Sequence, residues 1–227
     1  MKFGKLQDIS GVDFSLPEDH AFNQRVWKSL SENKAANLKV YLGCTGWSMK
    51  DWVGSVYPPK TKTKDFLLEY GKQFNTIELN TTHYRIPKIE LIDKWKRETP
   101  ADFRFCPKIP QIISHSRHLG LQSDALLTFS KAIIGLEEKL GPSFMQLPPY
   151  FGADRLEILN KFILAFPAEI PLFIEIRHES WFKENALESL LEILQKKRMG
   201  LVITDVAGRR DVLHQAISIP IAMVRFV

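Results

Sequence analysis

Short apolar runs alternate with longer amphipathic segments along most of this chain. Such runs are typical of buried strands, and the segments between them repeat apolar residues at helical spacing. Strands that alternate with helices of ten or more residues favour parallel pairing, and hence an α/β fold. The pattern predicts seven strands: Leu38–Gly43, Phe74–Asn80, Phe103–Lys108, Ser143–Leu147, Leu172–Arg177, Leu201–Asp205 and Ala222–Val227.

The helices between these strands are marked by caps and stop signals. Ser123 is a candidate N-cap for a long helix that Gly141 and Pro142 would end. Residues 1–37 precede the alternation and are predicted to form an N-terminal extension with one helix, whereas residues 38–227 form one domain. The predicted helices are Ala21–Leu30, Thr63–Gln73, Lys88–Glu98, Ser123–Leu140, Asp154–Phe166 and Lys183–Arg198.

The spacing of the strands favours a TIM (β/α)8 barrel. Their starts lie 36, 29, 40, 29, 29 and 21 residues apart, and such barrels usually have about 250 residues. A doubly wound Rossmann sheet is the rival, but no G-x-G-x-x-G follows the first strand. Seven strands are visible, so the barrel is either open or lacks its eighth strand. We expect that the eighth strand is missing.

Composition narrows the class of protein. The chain has 227 residues, 44% of them hydrophobic, and a net charge of +5 that is spread without blocks of like charge. This distribution favours an ordinary solvated surface over a nucleic-acid-binding arm. The two cysteines, Cys44 and Cys106, are far apart and form no metal-binding or disulfide pattern. Because no apolar run has the length of a leader or a membrane span, we expect a cytoplasmic protein without a membrane partner.

Polar residues follow several predicted strands, where a barrel would carry its reacting groups. Glu175 and Arg177 are two residues apart on one strand, so their side chains point to the same face. Glu78, Glu175 and Asp205 are the candidate acid and base groups. Arg209 and Arg210 follow Gly208 in a turn suited to an anion. The candidate substrate-binding residues are Asn80, Tyr84, Lys108, Gln146, Arg177, His178, Trp181, Arg209, Arg210 and Arg225.

Other interpretations of these residues stay open. A network of Glu78, Lys108, Glu175 and Arg177 could hold the sheet together without any chemistry, since buried charges are commonly paired. No H-x-x-x-H or H-E-x-x-H pattern is present, so we assign no metal ligands, and the sequence identifies no cofactor. Cys44 has no recognisable histidine partner that would make it a nucleophile.

Several motifs resemble the YecE-like family, also called domain-of-unknown-function family 72. They occur in order from about residue 38 to the end: Gly43-Cys44-Thr45-Gly46-Trp47, Tyr57-Pro58-Pro59, Phe74–Asn80 with Thr82 and Tyr84, Gln146-Leu147-Pro148-Pro149, Glu175-Ile176-Arg177-His178 and Val224-Arg225. The resemblance implies a TIM barrel but no activity. Cys44-Thr45 departs from the Thr-Ser that is common in the family, and family members usually continue past Val224–Val227.

Two functions follow from these observations. The first is an enzyme that binds a small anionic substrate, phosphorylated or carboxylated, at the strand ends and uses a carboxylate as acid or base. The second is a non-catalytic protein that binds a metabolite or nucleic acid through the same basic face. The sequence gives no oligomeric state.

Overall fold

A computed structural model of the protein describes residues 8, 10–11, 15–31, 38–205 and 212–226. The chain forms two compact units. Unit 1 comprises Met1–Ala36, Gln146–Leu164 and Leu172–Val227, and unit 2 comprises Asn37–Met145 and Ala165–Pro171. In chain order the described elements are α1 (Asn23–Ser31), α2 (Phe66–Gln73), β1 (Thr76–Leu79), α3 (Thr81–Tyr84), α4 (Ile89–Glu98), β2 (Arg104–Pro107), α5 (Gln111–Ser114), α6 (Ala125–Ile134), β3 (Ser143–Gln146), α7 (Leu156–Ala165), β4 (Leu172–Glu175), α8 (Ala186–Lys196), β5 (Gly200–Asp205) and β6 (Met223–Phe226).

Unit 2 contains a parallel pair of strands, β1 and β2. Ile77 and Leu79 are buried, whereas Thr76 and Glu78 on the opposite face are half-buried. Glu78 lies opposite Cys106 across the ladder, so the polar positions of both strands share one face. The buried positions pack into an aromatic-rich core whose members are Tyr57, Phe66, Leu67, Tyr70, Ile77, Leu79, Ile92, Trp95, Phe103, Phe105 and Leu136.

The segment from Leu38 to Gly43 lies beside β1 without being a strand. The side chain of Asn75 takes the place of a ladder partner, because its Oδ1 accepts from Leu42 N at 2.7 Å and its Nδ2 donates to Val40 O at 2.8 Å. The predicted first strand is therefore wrong. The segment is held by these side-chain hydrogen bonds together with two backbone bonds, from Asn75 N to Leu42 O at 3.3 Å and from Glu78 N to Cys44 O at 3.1 Å, rather than by a regular ladder.

Unit 1 contains three strands of the larger sheet, β4, β5 and β6. Strands β4, β5 and β6 pair in parallel, with Phe173 opposite Gly200 and Thr204 opposite Arg225. Leu147 N, directly after β3, donates to Glu175 O at 2.9 Å, which gives the strand order β3, β4, β5, β6. Every residue of β4 is buried, as expected for a strand covered on both faces.

Strand β6 inverts the usual distribution of polar and apolar residues. Arg225 is buried, while Val224 and Phe226 are exposed. A buried arginine needs a partner of opposite charge, because an uncompensated charge in the interior costs several kcal/mol. The inversion indicates that a buried anionic partner receives this side chain.

The predicted TIM (β/α)8 barrel is wrong. The described residues form six strands, in one sheet of two and one of four. In unit 2 the contact between β3 and the residues that follow β2 is an isolated bridge from Lys108 to Phe144. A closed barrel needs a continuous ladder between every pair of neighbouring strands. The α/β class itself is observed.

Helix boundaries differ from the sequence prediction mainly where glycine or a tight turn intervenes. The predicted helix from Ser123 to Leu140 ends early, at Ile134, and Gly135 follows it before a short 3₁₀ turn at Glu137–Lys139. The short helices α3 and α5, which follow β1 and β2, are not among the helices predicted from the sequence. Among the described residues, no helix has both the length and the apolar character needed to cross a lipid bilayer.

Candidate functional site

Three of the predicted site residues meet inside unit 1. Gln146 Nε2 donates to Glu175 Oε1 at 2.8 Å, and Arg225 Nη1 donates to Glu175 Oε2. Arg225 lies on β6 and Glu175 on β4, so the arginine reaches past β5 to its partner. The sheet therefore brings together polar residues from the ends of three strands.

Burial of this cluster limits what Glu175 can do. Its side chain is 0% exposed, and each carboxylate oxygen accepts a hydrogen bond. A carboxylate that transfers protons to a ligand has to reach that ligand within hydrogen-bonding distance. The arrangement favours a carboxylate that positions Gln146 and Arg225, and a catalytic role for Glu175 stays a prediction.

His178 is held by the loop that follows β4. Its Nδ1 accepts from the Ser180 hydroxyl at 2.8 Å and from Ser180 N at 3.2 Å, and the same hydroxyl accepts from Ala153 N at 2.8 Å. A Cβ atom on Gly152 would come within 2.9 Å of Ser180 Oγ, so glycine allows the two loops to approach closely. Because Nδ1 accepts, the neutral His178 ring carries its proton on Nε2.

The other predicted residues of unit 1 differ in exposure. Trp181 is buried, and its indole N–H donates to Phe151 O at 2.9 Å, which favours a core position over a pocket wall. Arg177 is half-buried, and Asp205 ends β5 as an exposed residue. Arg209 and Arg210, the predicted anion-binding pair, lie outside the described residues.

In unit 2 the polar face of β1 and β2 leads to the remaining predicted residues. Glu78, Asn80 and Lys108 are half-buried at or just after the strand ends. The Lys108 ammonium lies 5.8 Å from the centre of the Phe144 ring. Burial raises the pKa of Cys106 to about 11, so this thiol is protonated at neutral pH.

A surface cavity of about 600 Å³ lies next to these strand ends in unit 2. Helices α3 and α5 and the residues that follow them form its walls. Its volume is within the range of about 300–1,000 Å³ that is usual for small-molecule sites. Tyr84, a predicted binding residue, is 77% exposed at its edge. The lining residues are His83, Tyr84, Arg85, Ile86, Pro110, Gln111, Ile112, His115 and Ser116.

The His83 ring is fixed in one orientation in this cavity. Its Nδ1 lies 2.8 Å from Ile109 O, and the rings of Tyr84 and His115 contact it edge-on, with centroids at 5.2 and 5.5 Å. Burial lowers the pKa of His83, and the positive charge of Lys108 lowers it further, against the raising effect of the hydrogen bond to Ile109. The ring is therefore neutral at pH 7.

The cavity is positive and rich in hydrogen-bond donors. Arg85 is exposed at its wall, Gln111 contributes an amide, and within the described part of the chain no aspartate or glutamate lines it. Sequence reasoning identified Tyr84 and nearby Lys108 but did not select His83, Arg85, Gln111 or His115. The available signal was the polar run Thr81–Arg85 directly after a strand end, which resembles many solvated turns.

The described residues also bear on metal binding. No group of three or more histidine, cysteine, aspartate or glutamate side chains there is placed to hold a metal ion. His83 and His115 contact each other, but they form a pair with arginine and lysine nearby. This positive surrounding favours an anion over a cation.

Comparison with known protein families identifies the chain. Residues 41–227 match the family model described as protein of unknown function DUF72. The chain belongs to the DUF72 family. The family resemblance inferred from the sequence motifs is thus confirmed. The match begins at residue 41, so helix α1 lies before it.

Two curated DUF72-like relatives share moderate identity with the chain. It is 34% identical over 167 residues to the UPF0759 protein YecE of Escherichia coli K12, covering 73% of this chain and 59% of that protein. It is 28% identical over 163 residues to the UPF0759 protein YunF of Bacillus subtilis 168, covering 69% and 57%. The chain spans less than two thirds of the length of these relatives.

Solved structures of DUF72 proteins resemble the fold. A DUF72 family protein from Enterococcus faecalis V583 has a TM-score of 0.68 at 24% identity, covering 82% of this chain and 70% of that one. A DUF72 family protein from Thermotoga maritima MSB8 has a TM-score of 0.65 at 28% identity, covering 82% and 73%. At 24% identity, the likeness to the Enterococcus faecalis protein shows the fold alone.

Proposed function

We propose that this DUF72 chain binds a small anionic metabolite, phosphorylated or carboxylated, in the cavity of unit 2. The observation that carries the proposal is the lining of that cavity, which, among the residues that the structure describes, combines Arg85 and other donors with no carboxylate. Lys108 adds positive charge close to His83, as its effect on the pKa of that ring indicates. A guanidinium binds phosphate or carboxylate oxygens through paired N–H groups.

Glu78 is the acid or base that this proposal assigns. It is half-buried on β1, and α3, which carries His83 and Tyr84, begins at Thr81. Glu175 is less suited to the role, because both of its oxygens are engaged in the interior of unit 1. A half-buried carboxylate can exchange protons with a ligand if the site raises its pKa toward neutrality.

Binding is tested by thermal unfolding of the purified chain with a panel of phosphorylated and carboxylated metabolites. A ligand at 100 times its Kd adds about 2.7 kcal/mol to the free energy of unfolding. Arg85→Gln should abolish this stabilisation, whereas Arg97→Gln, which removes an exposed arginine outside the cavity lining, should keep it. Equal stabilisation of both variants, or of none of the proteins, would exclude the cavity as the anion site.

Catalysis is tested separately from binding. The ligand that stabilises the chain is incubated with it, and its ¹H and ³¹P spectra are followed over time. Conversion that Glu78→Gln abolishes while binding persists would establish an enzyme with Glu78 as its acid or base. A ligand that binds and stays unchanged would instead support the alternative of a non-catalytic binding protein.

A further inference from the structure

The hydrogen bond to Ile109 defines which nitrogen of His83 carries the proton. Nδ1 lies 2.8 Å from the carbonyl oxygen of Ile109. A carbonyl oxygen only accepts hydrogen bonds, so the Nδ1 of His83 must be the donor. In the neutral ring the second nitrogen, Nε2, then carries a lone pair and can only accept.

Nε2 of His83 is available to a ligand. In the ranges that the structure describes, this nitrogen has no protein hydrogen-bond partner, and the residue lines the cavity. The contacts with Tyr84 and His115 restrict rotation of the ring. The acceptor is thus held in place before any ligand arrives, which reduces the entropic cost of binding.

This acceptor complements the guanidinium of Arg85 in the cavity wall. The Arg85 guanidinium only donates, and an anionic oxygen only accepts, so the two match. The same anionic oxygen has no proton to offer to Nε2. A hydroxyl group on the ligand does have one, and a buried acceptor left without a donor weakens binding.

We propose that the ligand of this cavity is a hydroxylated anion, such as a polyol phosphate or a hydroxy acid. Its anionic group contacts Arg85, and one of its hydroxyl groups donates to Nε2 of His83. This inference rests on the proposed function and narrows the ligand class from any small anion to one that carries both groups. The cavity volume of about 600 Å³ leaves room for both.

A matched pair of ligands tests the inference at pH 7.5. Glycerol 3-phosphate and n-propyl phosphate have the same carbon chain and the same phosphate group, but only the first has hydroxyl groups. Calorimetric titration should give tighter binding of glycerol 3-phosphate by roughly three- to tenfold, the effect of one hydrogen bond. Lactate and propionate form the corresponding carboxylate pair, and one of the two pairs should show this preference.

The variant His83→Asn distinguishes the role of Nδ1 from that of Nε2. The asparagine amide is as many bonds from Cα as Nδ1 and keeps a donor for Ile109 O, whereas nothing replaces Nε2. This variant should bind both members of a pair equally, with the affinity that the parent has for the member without hydroxyl groups. A preference that persists in a folded His83→Asn protein would overturn the inference.

A measurement on the parent protein covers the case in which this variant does not fold. The ¹⁵N signal of an unprotonated imidazole nitrogen responds strongly to a hydrogen-bond donor. We expect the Nε2 signal of His83 to move with the hydroxylated ligand and to stay in place with its matched partner. Equal movement with both ligands would contradict the inference.

The outcomes for the two proposals are distinguishable. Equal affinity for both members of each pair, with loss of both in Arg85→Gln, would overturn the hydroxyl requirement and leave the anion site standing. Absence of binding by all four ligands and by the wider metabolite panel would overturn both proposals.

Discussion

Arg225 and Glu175 form an ion pair at a depth where a single charge would be costly. The arginine side chain is 6% exposed and the carboxylate 0%. Gln146 donates to the second oxygen of the carboxylate, so both oxygens of Glu175 have a hydrogen-bond donor. Such a pair contributes little net stability compared with apolar residues, but removal of one partner leaves a buried charge.

Arg225→Met should therefore destabilise the chain by about 3–5 kcal/mol, because Glu175 loses its counter-charge. The double variant Arg225→Met/Glu175→Leu should recover most of that loss. Urea unfolding of the parent, the two single variants and the double variant provides the measurement. A double variant no more stable than Arg225→Met would show that the pair is not the source of the loss.

His214 makes the stability of unit 1 depend on pH. Its Nε2–H donates to Val202 O at 3.1 Å and its Nδ1 accepts from Ala216 N at 3.0 Å, so the ring is neutral when folded. Burial lowers the pKa of His214 to about 4. In the unfolded chain the pKa of His214 is near 6.5, so as the pH falls the unfolded state binds a proton before the folded state does. The contribution of His214 to the free energy of unfolding is therefore fully present above pH 6.5 and declines by ~3 kcal/mol toward pH 4.

The free energy of unfolding, measured by urea between pH 7.5 and 4.5, should fall for the parent as the pH is lowered. His214→Gln keeps a donor for Val202 O and does not titrate, so its curve should be flatter. Some slope should persist, since the pKa of His83 is lowered as well. Parallel curves for the two proteins would mean that His214 is not the titrating group.

At the scale of elements, Gly43 sets how closely the segment beside β1 can approach. A Cβ atom at this position would lie 2.0 Å from the carbonyl oxygen of Thr76, which is backbone and cannot move aside cheaply. Tyr70 supports the same junction, since its hydroxyl accepts from Cys44 N at 2.6 Å and donates to Thr76 O at 2.9 Å. The glycine is therefore needed for a close approach between two backbones.

Gly43→Ala should destabilise the chain by about 1–3 kcal/mol or more, as overpacking does in well-packed regions. Gly46→Ala is the matched control three residues away, because its Cβ would meet only Met49 Cε, at 3.8 Å. Thermal unfolding of both variants gives the comparison. Equal melting temperatures would show that the segment can shift away from β1 at no cost.

At the scale of the whole molecule, sequence periodicity predicted the α/β class and six of the strand positions. The error lies in the step from strands to a closed barrel. The spacing of strands along the sequence gives the length of each strand–helix repeat. Whether a barrel closes depends instead on backbone hydrogen-bond ladders between neighbouring strands. The pattern from Leu38 to Gly43 is strand-like, and only the structure shows that the Asn75 side chain bonds to Leu42 and Val40 where a regular ladder was expected.

The polar cluster of unit 1 was predicted better from the sequence than the cavity of unit 2. The predicted strands placed Gln146, Glu175 and Arg225 at or near strand ends, and the structure shows these side chains in contact. The cavity of unit 2 depends instead on two four-residue helices, α3 and α5. Helices this short have no periodic signal, so the positions of His83 and His115 could not be derived from the pattern.

The exposed apolar side chains of Leu38 and Val40 lead to a further prediction. Leu38 and Val40 are 89% and 69% exposed, so they contribute little buried apolar area. Leu38→Ser/Val40→Thr should change the free energy of unfolding by less than about 0.5 kcal/mol and raise the solubility limit in ammonium sulfate. Ile77→Ala, at a fully buried position, should cost about 2–5 kcal/mol. A large loss in the surface variant would show that these side chains are covered in solution.

Because Cys106 is buried, local opening of unit 2 can be measured by chemical labelling of its thiol. Its thiol is buried 3.5 Å from the Thr76 hydroxyl and is protonated at neutral pH, so an alkylating reagent reacts with it slowly while it stays buried. Cys44 is only half-buried and serves as an internal reference. The rate at which a small iodoacetamide label appears on Cys106 therefore reports how often the structure around this thiol opens. The protein carries this probe without any engineered residue.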